Sequence, residues 1–534
     1  MPSTVREAAF DVLRSRSLTT IFGNPGSTEV PLLTDLPDDL RFVLALHEGS
    51  VVGMATGWAI GRGEPALALL HTTSGLGNAV GALATARVNR APLVVLVGQQ
   101  DRRHLAFEPF VAGRLEHLAG DYTVHVEFPV RPQDVPGALD RAWHEAAAAR
   151  GPAVVIVPMD DWSAPFDEPQ EAAPRRLVRA EAADSEAIAE LAALLDASRS
   201  PALVVGAGAD DPESWVALTA LAERLACPVW QESFGARAGF PQDHPLFAGH
   251  LPADRGGLRD ALAGRDLVLV VGAPVFRQYP YAPGPFVEEG TTIALVTDDP
   301  QEVHRSPAAL AVLAAPAAVC AALAERVAAR GGGSGEALLR RPVAPEPPAP
   351  GEPLRAEHVF SALAERLPSE TVLIEETPSS RPELHALIPA RRPLGFLSAA
   401  MGGLGFAMPG AIGVRMALPD RPVVVVVGDG SSLYAIQALW SAAEYDAGVL
   451  FVVLSNGGYA VMDRLAEQQG GTGSWPSFNV DVCSLARGLG CPAERIDDHP
   501  GLIRALDEVL PALAGRSEPL LLQVAVSPGT TFHP

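Results

Sequence analysis

At 534 residues the chain is too long for a single hydrophobic core, and three or four domains are expected. Hydrophobic residues make up 48% and charged residues 19%, the balance of well-packed globular units, and a formal net charge of −23 excludes nucleic acid and anionic membrane surfaces as natural partners. Cys227, Cys320, Cys483 and Cys491 have no metal-ligand spacing and no disulfide framework, so buried thiols in a reducing cytoplasm are expected. The opening MPSTVREAAFDVLRSRS is amphipathic rather than a signal peptide, and no apolar run reaches membrane-spanning length.

Residues 1–165 alternate short apolar runs with helical patterns. A helix over Thr4 to Ser15 precedes a strand at Thr20–Phe22 and the turn Gly23-Asn24-Pro25-Gly26-Ser27, where Ser27 is placed to cap the next helix. The strand Phe42–Leu46 ends at His47-Glu48 before a helix from Gly49 to Ala59, and the strand Ala66–Leu70 ends at His71. The strand Leu93–Val97 ends at Gly98-Gln99-Gln100, and Ala153–Val157 follows a helix near Pro136 to Ala149. Polar loops thus gather at the carboxyl ends of parallel strands, where open α/β sheets bind ligands.

The acidic, proline-containing stretch Ser163 to Ala183 reads as a connection to a second α/β unit, residues 184–330. Its strands Ala202–Val205 and Asp266–Val271 end in glycine turns, but GAGADDPES lacks a full dinucleotide fingerprint, so a scaffold role is expected. Residues 331–353 combine Gly/Ser flexibility with proline stiffness and form the clearest linker. A third α/β unit, residues 354–534, begins with a helix, a strand at Thr371–Ile374 and Met401-Gly402-Gly403-Leu404-Gly405 leading into a helix. The fold class is α/β, three doubly wound parallel-sheet domains.

The third unit carries the chemistry. Val423 to Val427 form a β-branched run buried on both faces, stopped by Gly428-Asp429-Gly430. A crossover helix from Ser431 to about Tyr445 leads to a neighbouring parallel strand, Leu450–Leu454, ending at Ser455-Asn456-Gly457-Gly458. Asp429 and Asn456 therefore meet at one sheet edge beside a helix N-terminus. One carboxylate, one amide oxygen and a glycine carbonyl suit a hard cation that keeps phosphate oxygens, and a Mg-diphosphate site is expected.

This spacing resembles the cofactor motif of thiamine-diphosphate (ThDP) enzymes. The segments FGNPGS, LALHEGSVVG, HTTSGLGNA, VGQQ, VGAPVFR and GGLGFAMPGAIGV resemble, in order along nearly the whole chain, the benzoylformate decarboxylase family of 2-oxo acid decarboxylases. The resemblance implies ThDP and Mg²⁺ as cofactors, with Asp429, Asn456 and the carbonyl of Gly458 holding the metal. It implies Glu48 at the pyrimidine nitrogen, His71 as acid/base and Ser27 on the substrate carboxylate. Leu404 would brace the cofactor, and Pro25, Gly26, Ser379, Gly402, Gly430, Ser431 and Tyr459 would lie along it. It implies a homodimer at least, or a tetramer, with sites shared between subunits. The implied reaction is decarboxylation of a 2-oxo acid to an aldehyde and CO₂.

Two departures stand out. A second active-site histidine of the family is replaced by Tyr279, whose phenol, with an ordinary pKa near 10, cannot shuttle protons as imidazole does; His104 is a possible substitute. The residues expected to line the substrate pocket, Pro109, Phe110, Ser398, Val461, Met462 and Leu465, are mostly apolar and differ from the expected aryl pocket. Carboligation of the acetolactate synthase or benzaldehyde lyase kind is the first alternative, and a non-catalytic ThDP-fold subunit the second.

Overall fold

The computed structural model describes residues 3–167, 183–331, 338, 343–349, 351–473, 475–477 and 479–529. The expected connection over 163–183 falls largely outside the described residues, and about half of the linker 331–353 does.

Three six-stranded sheets follow one another along the chain, and every strand pair in them is parallel. The first contains β1 (Thr20–Asn24), β2 (Arg41–Leu44), β3 (Ala66–Leu70), β4 (Leu93–Gln99), β5 (His125–Glu127) and β6 (Pro152–Pro158), in the order 2-1-3-4-6-5. The second contains β7 (Pro201–Val205), β8 (Val229–Gln231), β9 (Phe247–His250), β10 (Leu267–Val271), β11 (Thr292–Thr297) and β12 (Leu310–Leu313), in the order 12-11-10-7-8-9. The third contains β13 (Val372–Glu376), β14 (Phe396–Ser398), β15 (Val423–Gly428), β16 (Leu450–Ser455), β17 (Ala493–Ile496) and β18 (Leu520–Ala525), in the order 14-13-15-16-18-17. Renumbered from its own first strand, the third sheet repeats the order of the first.

The valine run is the centre of the third sheet. Val423 to Val427 are wholly buried, because β15 pairs with β13 on one side and β16 on the other while helices cover both faces. The first and third sheets share one continuous core through the helices Glu48–Arg62 and Ala407–Ala417. These helices approach backbone to backbone: a Cβ on Gly57 would lie 2.0 Å from the Gly410 carbonyl, and one on Gly413 would lie 1.9 Å from that of Met54. The middle sheet packs around separate cores.

Two local expectations need correction. The crossover after Asp429 is not one helix: Asp429–Ser432 and Ala438–Glu444 are separated by a tightened turn whose amides bond three residues back, Tyr434 to Ser431 and Ala435 to Ser432. The break brings Tyr434 alongside Gly405. Ser27 does not cap the following helix: Val30–Leu33 starts from Glu29 without a side-chain cap, and Ser27 sits in the exposed turn before it.

Candidate active site

Two clusters of polar residues stand at carboxyl edges of the first and third sheets. In the first, Glu48 opens its helix and is buried, with Asn24 Nδ2 donating to Oε1 at 3.1 Å and Asn78 Nδ2 donating to Oε2 at 3.0 Å. Both oxygens thus have neutral donors and no cation beside them. His71, at the end of β3, faces Thr28 and Glu29 from the loop after β1, across the switch point of the sheet. Its Nδ1 lies 2.9 Å from Glu29 Oε2 and 3.0 Å from Thr28 Oγ1.

The tautomer follows from the neighbours. Thr28 spends its proton on Glu29 Oε1, so toward His71 it can only accept, as can the carboxylate. Nδ1 must carry hydrogen, which leaves Nε2 to take or give a proton. Glu29 is 1% exposed and also accepts from the Gly26 amide at 2.7 Å. Gly98 leaves the carboxylate its room, since a Cβ there would stand 1.7 Å from Oε1. The sequence leaves Glu29, Asn24 and Asn78 unmarked; Asn24 and Glu29 share the strand-end loop of Ser27, while Asn78 lies within the helix Thr72–Val88 that starts directly after His71.

In the third sheet a cavity of about 520 Å³ gathers Ser379, Gly402, Leu404, Asp429, Gly430, Ser431, Asn456, Gly458, Tyr459, Val461 and Met462. Asp429 Oδ1 accepts from the Gly430 amide and Oδ2 from the Gly457 amide, both at 2.8 Å, while Asn456 Oδ1 accepts from Gly458 at 3.1 Å. Those bonds aim one carboxylate, one amide oxygen and a glycine backbone at a common space. The donor set is all oxygen and carries a single charge, which suits Mg²⁺ bridged to phosphate; among the described residues no cluster of three or more His, Cys, Asp or Glu side chains offers a softer or more acidic site. The adjoining helix start, whose Gly430 amide Asp429 already takes, presents its positive end to an anion. The residues fit a magnesium-bound diphosphate.

A second cavity of about 820 Å³ opens between the middle and third sheets and shares Gly402, Leu404 and Val461 with the first. Tyr279 and Leu465 line it, and its walls are mainly apolar, with Trp230, Phe234 and Leu251 among them. Four expected residues stand elsewhere. Ser398 is fully buried at the end of β14, its hydroxyl directed to the Gly235 carbonyl, because β14 is packed under the middle sheet. Phe110 is 90% exposed, and its neighbour Pro109 and His104 also lie in the loop after β4, on the first sheet and outside both cavities. Pro25, Gly26, Ser27, Glu48 and His71 likewise line neither cavity.

The chain matches known proteins along its length. Residues 3–119 match the N-terminal TPP binding domain of thiamine pyrophosphate enzymes, 188–323 their central domain and 379–524 their C-terminal TPP binding domain. It is 38% identical to a benzoylformate decarboxylase of Pseudomonas aeruginosa, covering 99% of this chain and 100% of that protein. It is 29% identical to a putative acetolactate synthase large subunit, IlvX, of Mycobacterium tuberculosis, covering 95% and 99% respectively. A thiamine diphosphate-dependent 4-hydroxybenzoylformate decarboxylase of Rhodococcus jostii RHA1 superimposes with a TM-score of 0.92 at 34% identity, covering 99% of this chain and 100% of that one.

Proposed function

Because the chain belongs to the thiamine pyrophosphate enzymes and is a ThDP-dependent decarboxylase like benzoylformate decarboxylase, we propose that it converts an aryl-substituted 2-oxo acid to the aldehyde and CO₂. The observation that carries this reading is the convergence of Asp429, Asn456 and Gly458 in a cavity that Leu404 joins to a larger apolar one. The larger cavity has the volume for an aromatic side chain.

When bound, ThDP would supply an electron sink for the bonding pair left behind on the substrate as CO₂ departs. Asp429, Asn456 and the Gly458 carbonyl would hold Mg²⁺, beside the helix start Asp429–Ser432, whose positive end would favour the diphosphate. Glu48, steadied by Asn24 and Asn78, holds a proton at the pyrimidine nitrogen. Ser27 donates to the substrate carboxylate, and His71 Nε2 moves the proton at the substrate's carbonyl oxygen. Tyr279 donates a hydrogen bond to the substrate side of the larger cavity.

Since Glu48, Ser27 and His71 line neither cavity of their own chain, a second copy completes each site, and the working unit is at least a dimer. The domains run over 1–165, 184–330 and 354–534. Among the described residues no helix is long and apolar enough to cross a membrane. All four cysteines are buried and unpaired, as befits a reducing cytoplasm.

Tyr279 favours a second reading, carboligation, because a phenol releases the aldehyde product less readily than an imidazole would. Product analysis decides: aryl, branched and short 2-oxo acids are incubated with ThDP and Mg²⁺, with and without an added aldehyde. CO₂ release from aryl acids that disappears in Glu48→Gln is expected; equal turnover in wild type and Glu48→Gln would overturn the mechanism. Product consisting of hydroxyketone alone would make carboligation the reaction.

A further inference from the structure

One buried carboxylate of the third sheet is not among the residues that would hold the metal: it belongs to the lining of the larger cavity, with both oxygens bonded to backbone amides. Glu376 ends β13, is 4% exposed, and accepts three backbone hydrogen bonds: Gly405 on Oε1 at 2.7 Å, Phe406 and Ala407 on Oε2 at 2.9 and 2.8 Å. These are the orphan amides at the start of Ala407–Ala417, a helix whose own N-cap residue, Phe406, offers no capping bond. Immediately before them stands Leu404, one of the residues that line both cavities. The body of the helix cannot shift, being locked against Glu48–Arg62 by the glycine contacts. The Gly402–Gly405 loop, with φ of +75° and +94° at its two ends, meets Tyr434 at Gly405 but is open at Gly402, where nothing lies within 4 Å of a built Cβ. Its position depends on the carboxylate.

We propose that Glu376 is a positioning residue that clamps the Leu404 loop, and that protonating it releases the clamp. The inference rests on the ThDP-decarboxylase reading of this site. An ionised carboxylate accepts all three bonds at charge-assisted strength, whereas a carboxylic acid has one oxygen committed to its own proton. Burial, only partly opposed by the three amides, pushes Glu376 up to about 7, and the neighbouring Glu375 adds to the rise. Glu375 is itself paired with Arg381 at 2.7 Å. The other groups on the shared cavity wall are Arg277, held by the Phe234 and Ala400 carbonyls, Asp254, Tyr279, His250, and a His385 that burial keeps neutral near pKa 3. None is hydrogen-bonded to Glu376, so its ionisation is set by burial first, opposed by the loop amides and reinforced by Glu375.

The test reads cofactor affinity rather than turnover. ThDP with Mg²⁺ is titrated into apo-protein while tryptophan fluorescence is followed, Trp475 lying in the cavity wall. At pH 8, Glu376→Gln is expected to weaken binding roughly tenfold, as one of the three bonds is lost and the other two become neutral. Leu404→Ala in that background should add less than about twofold, because both changes remove the same brace. Independent, multiplying losses would overturn the inference. Should Glu376→Gln fail to fold, wild type and Leu404→Ala are compared between pH 8.5 and 6. The advantage of wild type should shrink at least about threefold on acidification, and a constant ratio would overturn it. Any titration of ThDP itself cancels in that ratio. Wild type that binds no ThDP removes the decarboxylase reading and the inference with it; binding without coupling removes the inference alone.

Discussion

Replacing Glu29 with glutamine tests whether a buried carboxylate fixes the working tautomer of His71. The side chain keeps its shape but loses its charge, and one of its two oxygens becomes a donor. If the amide oxygen stays toward His71, the Nδ1–H bond survives as a neutral one, and the loss is the difference between charged and neutral hydrogen bonds, about 1 kcal/mol. If the new NH₂ instead turns toward His71, it donates to Nδ1, the tautomer reverses, and the whole charged bond is lost, up to about 3 kcal/mol. At about 1.4 kcal/mol per decade, kcat/KM for CO₂ release should fall roughly 5- to 150-fold. Melting should change little, since packing is preserved. In a His71→Ala background the same substitution should cost nothing further, because the group it orients is gone. A Glu29→Gln enzyme within about twofold of wild type, or one that loses as much activity with His71 already absent, would refute the tautomer argument.

Asp429→Asn keeps the shape of the diphosphate site but sets an NH₂ against either the Gly430 or the Gly457 amide; at least about a tenfold rise in the Mg²⁺ needed for half-maximal ThDP binding is expected, measured by the same fluorescence titration. Gly413→Ala would force a Cβ to within 1.9 Å of the Met54 carbonyl. The clash is with backbone, so stability should drop by about 3 kcal/mol, seen in denaturant unfolding, and an unchanged midpoint would contradict the packing. Stability should also depend on pH through Glu376. Its folded-state pKa, about 7, lies above the unfolded value of 4.5, so the native state keeps a proton that the unfolded chain releases. That contribution lowers stability as pH rises from about 4.5 to 7, by at most roughly 3 kcal/mol, and is complete above 7. Melting curves of Glu376→Gln should lack this share of the slope.

Local features were legible in the sequence in proportion to how far they are decided locally. Ala66–Leu70 has the expected bounds because every residue of it is buried and every residue is apolar. The edge strands His125–Glu127 and Ala493–Ile496 are half-exposed and mixed in composition, so no period marks them. The crossover after Asp429 keeps its helical spacing in Leu433, Ile436 and Trp440, yet the chain breaks there. Packing of Tyr434 against Gly405, about 29 residues upstream, outweighs the pattern. The same division holds at the site. Asp429 and Asn456 stand in one strand-helix-strand unit, where topology alone brings them together. Glu29 matters only because the fold closes it onto His71, 42 residues away. Ser398 carries a polar side chain at a strand end, which suggests a pocket, but the middle sheet covers it.

The division of the site between chains can be decided by mixing two inactive proteins. The paired contacts Gly53 with Pro409 and Gly61 with Ala417 run in the same direction, so Glu48 and the Leu404 loop lie at one end of the helix crossing. Even so, the cavities proposed for the diphosphate and the substrate are lined by no residue of the first sheet. The exposed apolar side chains Leu46, Met401, Tyr434 and Met462 stand in the stretches that flank these elements and would be covered by a second copy. If Glu48 of one subunit serves Asp429 of the other, a mixed dimer of Glu48→Gln and Asp429→Asn holds one site with both lesions and one with neither. Random reassortment, in which half the dimers are mixed, should then restore about a quarter of wild-type activity from two inactive stocks. If each chain builds its own site, every site retains a lesion and mixing restores nothing. Recovery must also depend on subunit exchange, appearing only after the oligomers have been dissociated and reassembled together. Silence after verified exchange would assign Glu48 and Asp429 to one chain and discard the shared-site architecture.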